Sequence, residues 1–459
     1  MAEPLKPSEG RLSYVRKDLV LVSTFFFLLL VIIGPLLVIG FDPAAMRDVS
    51  GRGSAIRQIS YVLVAGLLLY ALKPHENYRR ILAIPLPLAI GVGYCWLSLL
   101  WAIDPVIALR RLALTTLTMW TLFAAMRQLK FDETTKILRI AMVIVLLANY
   151  VAVLVFPELG LHNGAGSDEY SLMGDWRGVL QHKNIAGAAC ALTMILFTFD
   201  RGRMPRWIQI PVFLASAYFL YQSNSKTSFG LGIASLVTGF VFLRYKLRYK
   251  GLVIAVLGLA AVAVTVLAGM YQNPLIDKLN DPKAFTGRTQ IWQAEFKFIQ
   301  DNPLLGSGYG SFWDIGAKSP VFKYASGELA LIPSGHNGYL DLLVQLGIPG
   351  FLLILTVAVI LPFRKLISSP MLVGAKGALL VALFLFCIGH NFTESSLFER
   401  DMLVWVMLMV TMALSQPDLI NYRRAKFDVH ELFRIGRGPE GERSSGSGGG
   451  RRRRRRSTT

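Results

Sequence analysis

Apolar runs long enough to cross a lipid bilayer recur along this chain, separated by short charged connectors. A helix needs about 20 apolar residues to span the hydrocarbon core. The stretch from Leu19 to Gly40 meets that length without a single charge. About twelve apolar runs are legible, several of them shorter than that: 19–40, 59–72, 81–101, 112–126, 140–156, 185–199, 207–222, 227–243, 252–271, 350–363, 372–389 and 402–414. Of the 459 residues only 17% are charged, too few to clothe a soluble domain of this length. A large soluble helical protein is therefore excluded, because no soluble core buries so many helices that are apolar all round. The expected fold is an all-α polytopic membrane protein, with about 12 transmembrane helices and a large periplasmic helical loop.

The basic residues orient the chain. Arg16 and Lys17 precede the first run. Alternate connectors then carry Lys73, Arg79 and Arg80; Arg127, Lys130 and Lys136; Arg201, Arg203 and Arg206; Arg244, Lys246, Arg248 and Lys250; and Arg364 and Lys365. This positive-inside pattern places both termini in the cytoplasm. One outward connector, with Arg47, Arg52 and Arg57, departs from it. The net charge of +19 thus reflects topology and a basic tail, and a nucleic-acid partner is not expected. The first run is too long for a signal-peptide core and ends in no cleavage site. Cys95, Cys190 and Cys387 all fall inside apolar runs and read as small core hydrophobes.

Two domains are expected. Residues 1–416 form the transmembrane body, which includes a periplasmic lid loop at 272–347. Residues 417–459 form a disordered cytoplasmic tail ending in Arg451–Arg456, whose natural contact is anionic lipid headgroups. Within the lid loop, Ile291, Trp292, Phe296 and Ile299 recur at helical spacing. Asp301–Asn302–Pro303 stops that helix, Gly306, Gly308 and Gly310 mark a tight turn, and a second helical run follows at Tyr339–Leu346.

Polar residues gather on the outward side. They are Arg110 and Arg111; Arg177 and Gln181–His182–Lys183–Asn184; Lys226; Arg288; His336; and His390, Asn391, Thr393 and Glu394. Cations are scarce on that side by the topology rule, so these call for a reason. A bland reading stands beside each. His336 caps a helix, Arg288 is a solvated loop charge, and Lys226 snorkels. His182 and Lys183 anchor a span at the interface, and His390 with Glu394 is a local polar pair.

Several of these residues sit in a recognisable pattern. Gly287–Arg288…Trp292…Asp301–Asn302–Pro303–Leu304–Leu305–Gly306–Ser307–Gly308 is followed by His336–Asn337–Gly338–Tyr339–Leu340–Asp341…Leu346–Gly347…Gly350. Upstream stand Trp101–Ala102–Ile103–Asp104–Pro105 and Gln181–His182–Lys183–Asn184; downstream stands Thr393–Glu394–Ser395. The chain resembles the O-antigen ligase and Wzy-type polysaccharide polymerase superfamily, especially its ExoQ-like exopolysaccharide branch. The resemblance implies a glycosyltransferase that moves a glycan from an undecaprenyl diphosphate carrier to an acceptor glycan or lipid A-core. Membrane lipids and a chain-length regulator are its further partners, and no cofactor is implied.

By the same resemblance, His336 and Arg288 are catalytic. Lys226, Lys183, His182 and Arg177 bind the diphosphate, and Asp341 and Glu394 give support. Lys226 stands where many ligases have arginine, keeping the charge but losing the planar fork that grips phosphate bidentately. The chemistry suits these residue types, since a sugar diphosphate leaves as a stabilised anion and needs no general acid. One base for the hydroxyl and cations for the diphosphate suffice, and no metal is expected. Neighbouring cations would keep His336 neutral. The competing reading is a transporter of polysaccharide or lipid-linked glycan, but the polar residues crowd one face instead of lining a pathway through the membrane.

Overall fold

A computed structural model describes residues 15–33, 55–162, 172–199, 204–270, 288–325 and 334–416. The tail at 417–459 with its arginine run lies outside the described residues, as do Arg47, Arg52, Arg201, Arg203 and Gly287. Every described regular element is helical: α1 (Lys17–Ile33), α2 (Ala55–Leu72), α3 (Leu86–Leu97), α4 (Pro105–Met126), α5 (Phe131–Val155), α6 (Lys183–Phe199), α7 (Arg206–Gln222), α8 (Lys226–Phe242), α9 (Lys250–Met270), α10 (Arg288–Asp301), α11 (Gly338–Leu355), α12 (Leu361–Ser368), α13 (Ala375–His390) and α14 (Leu403–Leu414). A π-helical turn, Thr356–Ile360, makes α11 and α12 continuous.

Local chemistry sets the helix starts. Asp104 caps α4, its Oδ1 accepting from the Ile107 N–H, and Pro105 takes the first turn where no N–H is needed. Asn337 caps α11, its Oδ1 accepting from the N–H groups of Tyr339 and Leu340.

Among the described residues, four helices are long and apolar enough to cross a membrane: Ala55–Leu72, Pro105–Met126, Phe131–Val155 and Gly338–Ser368. A fifth joins them if Lys226–Phe242 and Leu247–Ala260, which are sharply bent against each other, count as one. Each of the other apolar runs also carries a helix, but several are shorter, among them α6, α13 and α14. Within the run expected at 81–101 the helix begins only at Leu86, and α3 tightens at its end into a short 3-10 turn, Ser98–Leu100.

The shorter helices lie at the centre. Every residue of α14 is buried, and it packs on α13 and α4. Helix α8 meets α13 and α6 through a stripe of small residues, Ser228, Gly232, Ser235 and Gly239, which lets backbones approach closely. Peripheral helices expose large apolar side chains such as Leu63, Leu154, Trp207 and Val241. An apolar exterior of this kind suits lipid contact. Cys95, Cys190 and Cys387 are free and buried.

The helices run back and forth, so connectors gather at two ends. One end carries Arg80, Arg127, Lys130, Arg206, Arg244, Lys365 and Lys376, joined by contacts such as the Arg127 guanidinium to the Leu82 carbonyl and Tyr245 Oη to the Ile367 carbonyl. The other end carries the 288–325 and 334–337 segments and the loop that follows α13. That second end holds the site.

Candidate active site

The insertion is fastened to the helix bundle by a row of polar contacts. Trp101 donates its indole N–H to the Leu305 carbonyl at 2.9 Å, and the Ile103 N–H reaches the Ser307 carbonyl at 3.1 Å. Gly308 has φ +85°, and a Cβ there would lie 2.6 Å from the Ala102 Cα. Only glycine meets both demands, which explains one residue of the glycine turn. Arg111, buried on α4, donates to the carbonyls of Gly310 and Trp313 and to that of Asp314, at 2.7–2.8 Å. Arg111 is thus a clamp on the turn of the insertion. Beneath the turn, Ile291, Phe298, Phe312, Trp313, Val321 and Val344 form a small core distinct from the main one.

The two helical stretches expected in the insertion are α10 and the start of α11. The second does not end before the following apolar run. It continues into that run through a break at Gly347, φ +65°, where the Ile348 N–H bonds the Pro303 carbonyl.

The loop after α13 is organised by Asn391, which is fully buried. Its Oδ1 accepts from the N–H groups of Ser396 and Leu397, and its Nδ2 donates back to the Cys387 carbonyl. The Gly338 N–H, at the start of α11, donates to the carbonyls of Asn391 and Glu394. This joint brings His336 beside Glu394.

Three separate chain segments then converge on one carboxylate. Arg288 Nη2 lies 2.7 Å from Glu394 Oε1, and the same guanidinium donates to the Thr393 carbonyl. Asn184 Nδ2 donates to Oε1 at 2.6 Å, and His336 Nδ1 stands 3.4 Å from Oε2. Burial alone would raise the Glu394 carboxyl. The His336 hydrogen bond and the charge of Arg288 outweigh it and hold the group down at about 2. His336 itself has φ +52°, a left-handed conformation uncommon outside glycine.

Some expectations need correcting. His336 does not open the helix; it precedes the cap, Asn337. The charge set against its ring is the anion Glu394, and Arg288, instead of standing as a free cation, is paired with that same anion. Lys183 is likewise paired, with Asp175 at 2.6 Å. His182 accepts the Asn184 N–H through Nδ1 and packs edge-on against His162, ring centroids 5.2 Å apart. Burial lowers the His182 imidazole to about 4, so it is neutral at pH 7. His162, which sequence reasoning passed over, accepts the Lys183 N–H. No motif marks it.

Arg177 is half-buried in a turn whose backbone is pinned to the Gly160 carbonyl. Lys226 is exposed at the start of α8; its neighbour Thr227 bonds Thr393 Oγ1 at 3.1 Å, one residue from Glu394. Asp341 faces the insertion, accepting the Trp313 indole N–H and the Gly335 N–H. His390 contacts Ser228 Oγ at 3.4 Å instead of pairing with Glu394 through its ring.

Glu394 also lines a cavity of about 340 Å³ with a mixed polar and apolar wall, together with Asn184, His390, Arg111, Trp313 and Arg400. Arg57 and Asp401 line the same cavity, Arg57 gripping Asp401 through two guanidinium nitrogens. This pair, 344 residues apart in sequence, was invisible to motif reading. It also accounts for the one cation of the exceptional basic connector that falls within the described residues.

Residues 211–355 match the family model Wzy_C, O-antigen ligase. Over that stretch the chain is similar to the O-antigen ligase family. This match supports the O-antigen ligase/Wzy superfamily and, with it, a glycan-transferring enzyme of polysaccharide biosynthesis that handles lipid-linked glycans in a multi-pass membrane setting. Arg288 and His336 both lie within the matched O-antigen ligase region, as does Lys226; Glu394, their common partner, lies beyond it. No curated protein matches the chain.

Proposed function

We propose that this protein is a periplasmic-face glycosyltransferase of the inner membrane, which transfers or polymerises glycan from an undecaprenyl diphosphate carrier onto an acceptor sugar hydroxyl. The observation that carries this reading is the meeting of Arg288 and His336 on Glu394, itself a lining residue of the cavity, at the end of the bundle opposite the basic connectors. By the positive-inside rule that end faces outward and both termini face the cytoplasm. About twelve crossings make up the body at 1–416, with a lid at 272–347, and the tail at 417–459 stays cytoplasmic. The exopolysaccharide branch is favoured by Lys226.

The acceptor oxygen attacks the anomeric carbon from the side opposite the diphosphate, so configuration inverts. The bond from carbon to the phosphate oxygen breaks, and its electron pair leaves with the diphosphate. His336 takes the hydroxyl proton at Nε2, because Nδ1 is turned to Glu394. The carboxylate fixes the ring and stabilises the imidazolium that forms, the same division of labour as in a catalytic triad. A positioned base contributes about 10²–10⁴-fold. Arg288, with Lys226, Lys183, His182 and Arg177 around it, receives the developing diphosphate charge, each charge-assisted contact being worth roughly 1.5–3 kcal/mol. Lipid A-core or a growing glycan is the acceptor, and a chain-length regulator is a partner of the polymerising form.

The test is polymer yield and length in cells carrying His336→Ala or Arg288→Ala, with membrane insertion verified first. Both variants are expected to lose long polymer, and normal polymer from both would end this reading. Purified protein given a lipid-linked oligosaccharide should lengthen it in the presence of EDTA. Translocation without lengthening would mark a carrier instead.

A further inference from the structure

Glu295, on α10, is completely buried, and neither of its carboxyl oxygens receives a donor from the described protein groups. It faces Asp341 of α11, itself 4% exposed. Between the two lies Gly335. A Cβ at that position would fall 2.4 Å from Glu295 Oε1 and 2.7 Å from Asp341 Oδ1. The Gly335 N–H donates to Asp341 Oδ1 at 3.1 Å, and the Gly335 carbonyl accepts the Trp292 indole N–H at 2.9 Å. Both peptide groups of Gly335 are therefore held, and the next residue is His336 in its left-handed conformation.

Two buried carboxyl groups in contact cannot both be ionised. Asp341 already receives two donors, from Trp313 and Gly335. Glu295 receives none. The proton therefore resides on Glu295, whose O–H donates to Asp341. An ionised, unpaired Glu295 would instead be a buried charge without compensation.

We propose that protonated Glu295 and ionised Asp341 form an acid–carboxylate clamp that sets the Gly335–His336 turn, making Glu295 a positioning residue for His336. This rests on the reading of His336 as the base. The groups facing the clamp are Ser395 and Glu399 of the loop before α14 and Trp313 of the insertion turn. Burial, then the Asp341 charge, raises the Glu295 carboxyl well above its ordinary range. A raised carboxyl contributes most at low pH, and its contribution is lost as pH rises through the folded value.

The test uses the full-length protein in detergent. Its infrared spectrum at neutral pH should show a carboxylic-acid C=O band that Glu295→Gln removes. Glu295→Gln, neutral and still a donor, should keep kcat within about 3-fold and lose the decline that the wild type shows as pH rises. Glu295→Ala should lower kcat about 10-fold or more, with the donor KM within about 2-fold. Absence of the infrared band, or wild-type kcat and pH profile in Glu295→Ala, would overturn the clamp. Should Glu295→Ala not fold, Glu295→Gln and the band decide. A band removed by Glu295→Gln in a protein that lengthens no oligosaccharide would keep the shared proton, but overturn the positioning role together with the functional reading.

Discussion

The Arg288 guanidinium and the Glu394 carboxylate meet at 2.7 Å across 106 residues of sequence. An arginine expected to stand open for phosphate is neutralised, in this structure, by an acid from the loop after α13. The pairing orients the fork, and it means that a diphosphate must compete with Glu394 or share the guanidinium with it. Glu394 is correspondingly more than a support, since it also faces His336.

Removing that acid should therefore have two opposed effects. Glu394→Gln frees Arg288 for the diphosphate but leaves the His336 ring without its orienting anion. We expect kcat to fall about 10²-fold or more while the donor KM falls or holds. A rise in KM at unchanged kcat, measured with purified protein and a lipid-linked oligosaccharide, would contradict the orienting role.

Acid stability should show two separable limbs. The His182 imidazole is lowered to about 4 by burial. A depressed histidine favours the unfolded state once pH drops below the unfolded value of about 6.5, and the loss continues down to about 4. Glu394, held at about 2, contributes stability above the unfolded carboxyl value of about 4.3 and loses it as pH falls toward 2. Thermal unfolding of detergent-solubilised protein should decline across both windows. His182→Gln should shrink the first limb, which the buried His390 shares, and Glu394→Gln the second. Identical profiles in all three proteins would refute the assignment.

Arg111 should behave as a structural residue. Its guanidinium satisfies three carbonyls at once, two of them, those of Gly310 and Trp313, in fully buried contacts, and each buried acceptor left unmatched costs about 1–3 kcal/mol. Arg111→Ala should expose the 288–325 segment to protease added to spheroplasts. Arg111→Lys should not rescue it, because one ammonium cannot span three carbonyls. Protease resistance equal to wild type in both would show that the clamp is dispensable.

Lys183 permits a choice between two roles. If its task is the ion pair with Asp175 at 2.6 Å, then Lys183→Met and Asp175→Asn should be non-additive in thermal stability and leave the donor KM alone. If Lys183 contacts diphosphate, Lys183→Met should raise the donor KM about 10-fold and Asp175→Asn should not. A double-mutant cycle with both readouts decides.

The reach of sequence reasoning follows from what is local. The helix-bearing apolar runs and the turn glycines Gly306, Gly308 and Gly310 were legible, whereas the caps Asp104 and Asn337 emerged only in the structure. Each depends on residues within a turn or two along the chain. The alternation of basic connectors was equally legible, because topology is written in charge counts near the helix ends. The charge state of the site was not. Sequence names Arg288, Lys183, Arg57 and Arg111 as cations without saying that Glu394, Asp175, Asp401 and the carbonyls of the insertion turn already engage them.

By itself, then, the sequence determined a helical chain built for lipid, with reactive residue types collected toward one side. Hydrophobic length and helix signals are properties of contiguous residues, and they survive without knowledge of the fold. Only the tertiary structure decided that Arg288 and His336 share one carboxylate, and that Glu295 is buried against Asp341 beneath Gly335. Those pairings join segments tens to hundreds of residues apart. Their energies depend on distance and burial, neither of which a linear pattern contains.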